Sequence, residues 1–362
     1  MNVLYLTDPA LDYLADQIYT GLCKVLGWQN IFDFPKKAAY HDPAARAAYL
    51  PQNPGHDASI DDLVGWIREH RVDLVLVSSP RRGTLEAYHL LTKHVAFPPT
   101  VLLDGEDDSR IRADVYRAVG AGLYFKRELK PAVEARRSGL RSRWTISQGD
   151  SDEFSRIHPL PFSVMEVPSH CPVATPPDID ISFVGRASHR KRVRAVKLLR
   201  RSADIRFEGG VYVDSGDRRS KLGDSLFDIV RAKLCGDLLV PVTERGCRLG
   251  TEEYQALLHR SKMALSIRGG GFDTLRYWEI VASKTLLVSE PPDILIPDNF
   301  EHGVHAMFCR SDLRDLPALV RRLRDDDAAR GRMVNAAFEH LTAFHTSERR
   351  AAYLLDTCRR FL

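Results

Sequence analysis

Residues 266–290, SIRGGGFDTLRYWEIVASKTLLVSE, constrain the fold more than any other stretch. They open on the end of an apolar run, MALSI, that closes at Ile267. Gly269, Gly270 and Gly271 follow. Asp273 or Thr274 can N-cap a helix whose apolar positions are Leu275, Trp278, Ile280 and Val281. A second apolar run, TLLVSE, comes almost at once. Strand, glycine loop, helix and strand in this order make half of a nucleotide-binding α/β unit.

The chemistry lies in the loop. Glycine lets backbone N–H groups come close to a ligand with no Cβ in the way. The helix start adds unpaired N–H donors and the positive end of a dipole, a seat for phosphate. Arg268 and Arg276 flank that seat and can neutralise a diphosphate. Glu279 follows Arg276 by three residues, so both project from one helix face. A carboxylate there can accept hydrogen bonds from the two hydroxyls of a ribose.

The R-x-W-E pattern of Arg276, Trp278 and Glu279, then Ala282, Ser283, Lys284 and TLLVSE, resembles the C-terminal segment of GT-B glycosyltransferases. It is most similar to the CgeB-like group and more loosely to exostosin-type enzymes, over roughly the last hundred residues. The resemblance implies an α/β fold of two Rossmann-like domains facing across a cleft. It implies transfer of a sugar from a nucleotide-diphosphate sugar, the co-substrate, with no further cofactor and no metal. Glu279 matches the glutamate that binds the donor ribose in that fold. The best-known retaining pattern has a second glutamate eight positions earlier. Here that place falls near Phe272, between Gly271 and Asp273, and is not acidic. The stereochemical outcome stays open. An ordinary α/β unit with Glu279 on a solvated face is the plainer alternative.

A chain of 362 residues suits two domains. No apolar run approaches the roughly 20 residues that span a bilayer. MNVLYLTDPALDYL has no basic leader and reads as a first strand. The six cysteines are scattered, with no CxxC and no zinc spacing, and read as reduced thiols in a cytoplasmic protein. A net charge of +4 suits anionic substrates without singling out nucleic acid.

In the N-terminal part, apolar runs near 3–7, 31–34, 73–79, 100–103 and 122–128 alternate with helical stretches. This predicts a doubly wound parallel sheet with ligands at the carboxyl ends of its strands. Residues 36–59 read as a long loop, with a short helix possible in ARAAYL. Asp8, Arg81, Asp104, Glu106, Lys126 and Arg127 fall at strand ends and are expected to line one rim, the acceptor side. Sugar transfer needs a base, or a group that stabilises a developing oxocarbenium ion. Asp104 and Glu106 are the candidate carboxylates. DGEDD equally reads as a solvated turn and N-cap, or as a Mg²⁺ ligand set, which the resemblance disfavours. His158 in IHPLPFSV is a candidate base or a structural histidine.

PSHCPVATPP is the best linker in the chain. The expected organisation is an acceptor domain over 1–168, a linker at 169–177 and a donor domain over 178–345. The terminal helix, 346–362, crosses back to the first domain by the resemblance. DIDISFVG restarts a strand, and Gly185 and Arg186 match in position the first donor-domain loop of GT-B enzymes. Helix 188–201 is very basic, with Val193, Val196 and Leu199 as its apolar stripe. It reads as a solvated face with Arg186 or Arg190 near a diphosphate, since no nucleic-acid motif accompanies it. No fold is assigned to 214–250. Helix 251–261 begins like a capping box. By the resemblance it packs beside the nucleotide base, and Tyr254 is a weak contact candidate.

The expected donor site thus comprises Gly185, Arg186, Arg190, Arg268, Gly270, Gly271, Asp273, Thr274, Arg276 and Glu279. The expected activity is glycosyl transfer to a glycan, protein or small molecule, with no nucleic-acid partner. A nucleotide-sugar epimerase and a non-catalytic nucleotide-sugar-binding module are the alternatives.

Overall fold

The structure, a computed structural model, describes residues 1–42, 53–131, 155–165, 176–212 and 248–362. The ARAAYL helix, nearly all of the proline-rich linker and nearly all of 214–250 lie outside these. The described residues fall into two compact units. One comprises 1–167, 293–298 and 343–362, and the other 168–292 and 299–342.

The first unit is a parallel sheet. Its strands are β1 (Val3–Leu6), β2 (Ile31–Phe34), β3 (Leu74–Val77), β4 (Thr100–Asp104), β5 (Leu123–Lys126) and β6 (Ile157–Pro159). They stand in the order β2-β1-β3-β4-β5-β6. β1 pairs with β2 on one side and β3 on the other, with Val3 opposite Ile31 and Leu74. Helices α1 (Tyr13–Leu26), α2 (Ala38–His41), α3 (Ile60–Arg68), α4 (Arg82–Thr92) and α5 (Ala113–Ala118) connect them. The central strands are buried along their whole length, as expected when helices cover both faces. Ser59 caps α3, and Asp62 closes the capping box by accepting the Ser59 N–H. α5 is short, six residues. The residues before it form Asp- and Arg-bonded turns, with Asp108 holding the Arg110 N–H and guanidinium.

The second unit is also parallel, built from β7 (Ile179–Arg186), β8 (Phe207–Tyr212), β9 (Ser261–Ser266), β10 (Leu286–Ser289) and β11 (Met307–Phe308). Their order is β11-β10-β9-β7-β8. Helices α6 (Arg190–Arg201), α7 (Thr251–His259), α8 (Leu275–Ala282), α9 (Leu316–Arg324) and α10 (Asp327–Phe344) accompany them, and α11 (Ser347–Phe361) ends the chain. The core gathers Ile181, Phe183, Val196, Leu199, Met263, Leu265, Val288 and Val320. Among the described residues, no helix is long and apolar enough to cross a membrane.

α11 belongs to the first unit. His345, fully buried, contacts the Asp298 carbonyl through Nε2 at 2.8 Å and Arg350 through Nδ1 at 3.0 Å. Ser347 N–H donates to the Val164 carbonyl at 2.7 Å. These bonds fix where α11 starts.

Candidate functional site

In an open parallel sheet, loops part where the strand order reverses, and a ligand seat opens at the carboxyl ends of the strands. In the second unit this reversal lies between β7 and β9. The loop after β7 (Arg186, Ser188, His189) and the loop after β9 (Ile267 to Asp273) therefore meet, and α6 and α8 start there.

One side chain ties the two loops together. Arg192, only 5% exposed, donates Nη1–H to the Arg186 carbonyl at 2.9 Å. Its Nε–H is shared between the Ile267 and Arg268 carbonyls at 3.1 and 2.9 Å. A Cβ on Gly269 would lie 2.8 Å from Arg192 Nη2 and 3.2 Å from Ser188 Oγ. The first glycine of the triplet is thus there to admit a guanidinium. Its N–H is turned inward, donating to the Gly271 carbonyl at 2.8 Å. Gly270, by contrast, is exposed.

Glu290, buried at the end of β10, holds a second pair of cations. It accepts the Arg268 N–H at 3.0 Å and Nε–H at 3.3 Å, and it is ion-paired with Lys191. His189 Nδ1 accepts the Lys191 N–H at 3.2 Å, so in this geometry Nε2 carries the ring proton. Burial, with Arg268 next, lowers the His189 pKa and keeps the ring neutral.

Arg276, on the first turn of α8, is half-buried and differs from these arginines. It makes no ion pair among the described residues, and its Nε has no hydrogen-bond partner. Its guanidinium lies against the Phe183 and Tyr254 rings, 5.2 and 5.9 Å from their centres, and directly beside Gly185. The buried Tyr254 hydroxyl faces the same guanidinium without a well-formed hydrogen bond. Glu279 is exposed to solvent, yet the protein mass around it raises its pKa, with Arg276 pulling the other way. A carboxylate open to water and crowded by protein suits a concave wall. Thr274 occupies the N-cap of α8, but its hydroxyl makes no capping bond and meets Ser266 Oγ at 3.3 Å. Asp273 is buried and accepts the Trp278 indole N–H at 2.9 Å. The helix start therefore carries no side-chain cap. Arg186 and Arg190 are both exposed at the same end of β7 and α6.

The expected donor residues therefore meet at one place. The sequence reading missed Lys191, Arg192, His189 and Glu290. Arg192 had a signal: it shares the helix face of Ala195, Val196 and Leu199, all buried. Glu290 had one too, as an acid directly after a parallel strand.

The first unit places its candidates on two levels. Asp8 is half-buried and accepts the Ala10 N–H at 2.8 Å. Arg81 donates Nε–H to Glu106 at 3.1 Å and Nη1–H to the Leu11 carbonyl at 2.8 Å, with Asp12 at 3.5 Å. Asp8, Arg81 and Glu106 reach solvent, while Asp12 is buried. Asp104, Lys126 and Arg127 do not line that rim: they are 0, 0 and 1% exposed. Asp104 Oδ1 faces Lys126 Nζ at 2.9 Å and accepts the Glu106 N–H at 3.0 Å, and its other oxygen takes the Tyr124 hydroxyl. The ion pair offsets two charges taken from water, and Asp104 is satisfied on both oxygens while Lys126 Nζ makes no well-formed hydrogen bond. Arg127 is bonded to Asp107 and to the Gly105 carbonyl, and lies 4.4 Å from the Phe162 ring centre. His158 packs against Phe125 and Phe361, its Nε2 buried without a partner, and burial followed by Arg360 lowers its pKa. Among the described residues no group of three or more His, Cys, Asp or Glu has metal-holding geometry.

Comparison with solved structures decides the fold. A glycosyltransferase from Rickettsia africae superposes with a TM-score of 0.63 at 11% identity, covering 99% of this chain and 98% of that one. The Anabaena protein HepE, solved with UDP and glucose, gives 0.57 at 12% identity over 99% of both chains. The sucrose-phosphate synthase of Thermosynechococcus elongatus gives 0.56 at 13% identity, covering 99% and 98%. The chain has the GT-B fold. At these identities the likeness is one of fold. Residues 218–356 of this GT-B chain also match the family model described as "Glycosyl transferase-like". That description carries the glycosyltransferase likeness and not the narrower CgeB-like grouping. No curated protein matches the sequence.

Proposed function

We propose that the chain is a glycosyltransferase whose second unit binds a nucleotide-diphosphate sugar. The observation that carries this is Arg276. A half-buried guanidinium that makes no ion pair among the described residues, beside Gly185 and three residues from an open carboxylate, can take up an anion. In this reading Arg276 meets the diphosphate, with Arg186, Arg190, Arg268 and the N–H groups of Gly270 and Gly271 around it. His189 adds a neutral Nε2–H donor, and Glu279 accepts the ribose hydroxyls. HepE, of the same fold, was solved with UDP and glucose, which makes UDP the first nucleotide to try.

The first unit supplies the acceptor side in this proposal. Asp8 and Arg81 read the acceptor, and Glu106 is the favoured base because its carboxylate is accessible. Asp104, Lys126 and Arg127 hold the strand end beneath it, and His158 is the weaker base candidate. Calorimetric titration with UDP tests the donor half. Binding to the wild type, weakened roughly tenfold or more by Glu279→Ala, is the expected result for loss of hydrogen bonds to a charged group. An affinity unchanged by that substitution would remove the ribose assignment.

A further inference from the structure

Helix α6 carries seven cations and no acid in twelve residues, RKRVRAVKLLRR. Three of them are used inside the second unit. Lys191 pairs with Glu290, Arg192 binds loop carbonyls, and Arg200 donates to the Gly209 carbonyl at 2.7 Å. The other four, Arg190, Arg194, Lys197 and Arg201, are exposed and make no ion pair or hydrogen bond among the described residues; Arg190, at the N-terminal end, is the one that also faces the diphosphate in the proposed donor site. Their spacing of four, three and four residues sets them in one row along the helix. The row extends about 16 Å at the α-helical rise. Two of the three cations at the end of neighbouring α9 differ, since Arg321 and Arg324 are both paired with Asp204.

Unpaired like charges held in a row repel one another, and an acid at any of the flanking turns would relieve this. Among the described residues none stands there, which leaves the row open to an external anion. We infer that this face of α6 docks the second unit onto an anionic lipid surface. Every exposed residue of α6 is a cation, so the face adsorbs by charge and has no apolar side chain to insert. A nucleic acid is the less suitable partner. The helix offers no aromatic ring to stack on a base and no hydroxyl or amide side chain to read one.

The test is flotation of the full chain with vesicles of phosphatidylcholine alone, or of an equal mixture of phosphatidylcholine and phosphatidylglycerol. The chain is expected to float with the mixed vesicles only, and to be released as salt rises. The triple variant R194Q/K197Q/R201Q keeps good helix formers and is expected to lose roughly tenfold or more of the partitioning. A charge-matched variant, R314Q/R332Q/R349Q, changes exposed arginines outside α6 and is expected to float like the wild type. Unchanged melting of all three chains shows that folding is intact. Failure to float with anionic vesicles, or equal loss in both variants, would overturn the inference. So would retention of mixed-sequence duplex DNA by a chain that ignores the vesicles. None of these outcomes depends on nucleotide binding, so the donor site is tested separately.

Discussion

Arg276 and Glu279 sit one helical turn apart and are left in opposite predicaments. The guanidinium makes no ion pair among the described residues and feels Glu279 only at a distance, and the carboxylate is crowded by protein that disfavours its ionised form. A diphosphate answers the first, and ribose hydroxyls donating to the carboxylate answer the second. Arg276→Ala is expected to weaken UDP about tenfold to a hundredfold, as for loss of charge-assisted hydrogen bonds, with little change in melting temperature. Glu279→Gln separates binding from stability. The folded-state pKa is raised, so ionisation costs stability that is intact below the ordinary carboxylate pKa and is lost as pH rises through the raised value. The glutamine variant should therefore melt above the wild type at neutral pH. The gap should close as pH falls below the ordinary carboxylate range, while UDP affinity is reduced at neutral pH. A variant that melts lower than the wild type at neutral pH would mean that the carboxylate is stabilising.

At the scale of elements, the site is a joint between α6 and the loops after β7 and β9, and its pin is Arg192. The Gly269 position is shaped by that pin. Gly269→Ala is expected to cost about 1–3 kcal/mol through overpacking against the guanidinium, read as a lower urea midpoint. In an Arg192→Ala background the same substitution should cost far less, and a double-mutant cycle should show about 1 kcal/mol or more of coupling. Additive effects would mean that the two do not touch. This joint also shows what a sequence discloses. The alternation of apolar runs with helices, and the loop from Gly269 to Gly271, were legible because strand burial and backbone freedom leave local patterns. The role of the first glycine was not, since Arg192 is 77 residues away in sequence and its partners are carbonyls, which no residue type marks. Asp104, Lys126 and Arg127 misled for a related reason. Strand ends face both rim and interior, and only the pairing of Asp104 with Lys126 and Tyr124 tells which side each takes.

Across the whole molecule, the two sheets repeat one plan, each reversing its strand order beside its own first strand, β1 or β7. Repetition does not explain why residues 343–362 belong with the first unit. The explanation lies on α1. Gly21 faces the start of α11, and a Cβ there would collide with the Ser347 carbonyl and lie 2.9 Å from Ala351 Cβ. Two helix backbones approach this closely only where a side chain is missing. Ser347 cannot retreat, because its N–H is bonded to the Val164 carbonyl and His345 is fixed by Asp298 and Arg350. Gly21→Ala should therefore displace α11, although alanine is the better helix former by about 1 kcal/mol. The expected net effect is a loss of about 1–3 kcal/mol from overpacking, seen as a lower urea midpoint together with faster proteolysis near residue 345. Because Gly21 and α11 lie in the first unit, UDP affinity measured well below the melting temperature should be unchanged. A raised midpoint would show helix propensity winning over the contact, and α11 would then not be held on α1 in solution.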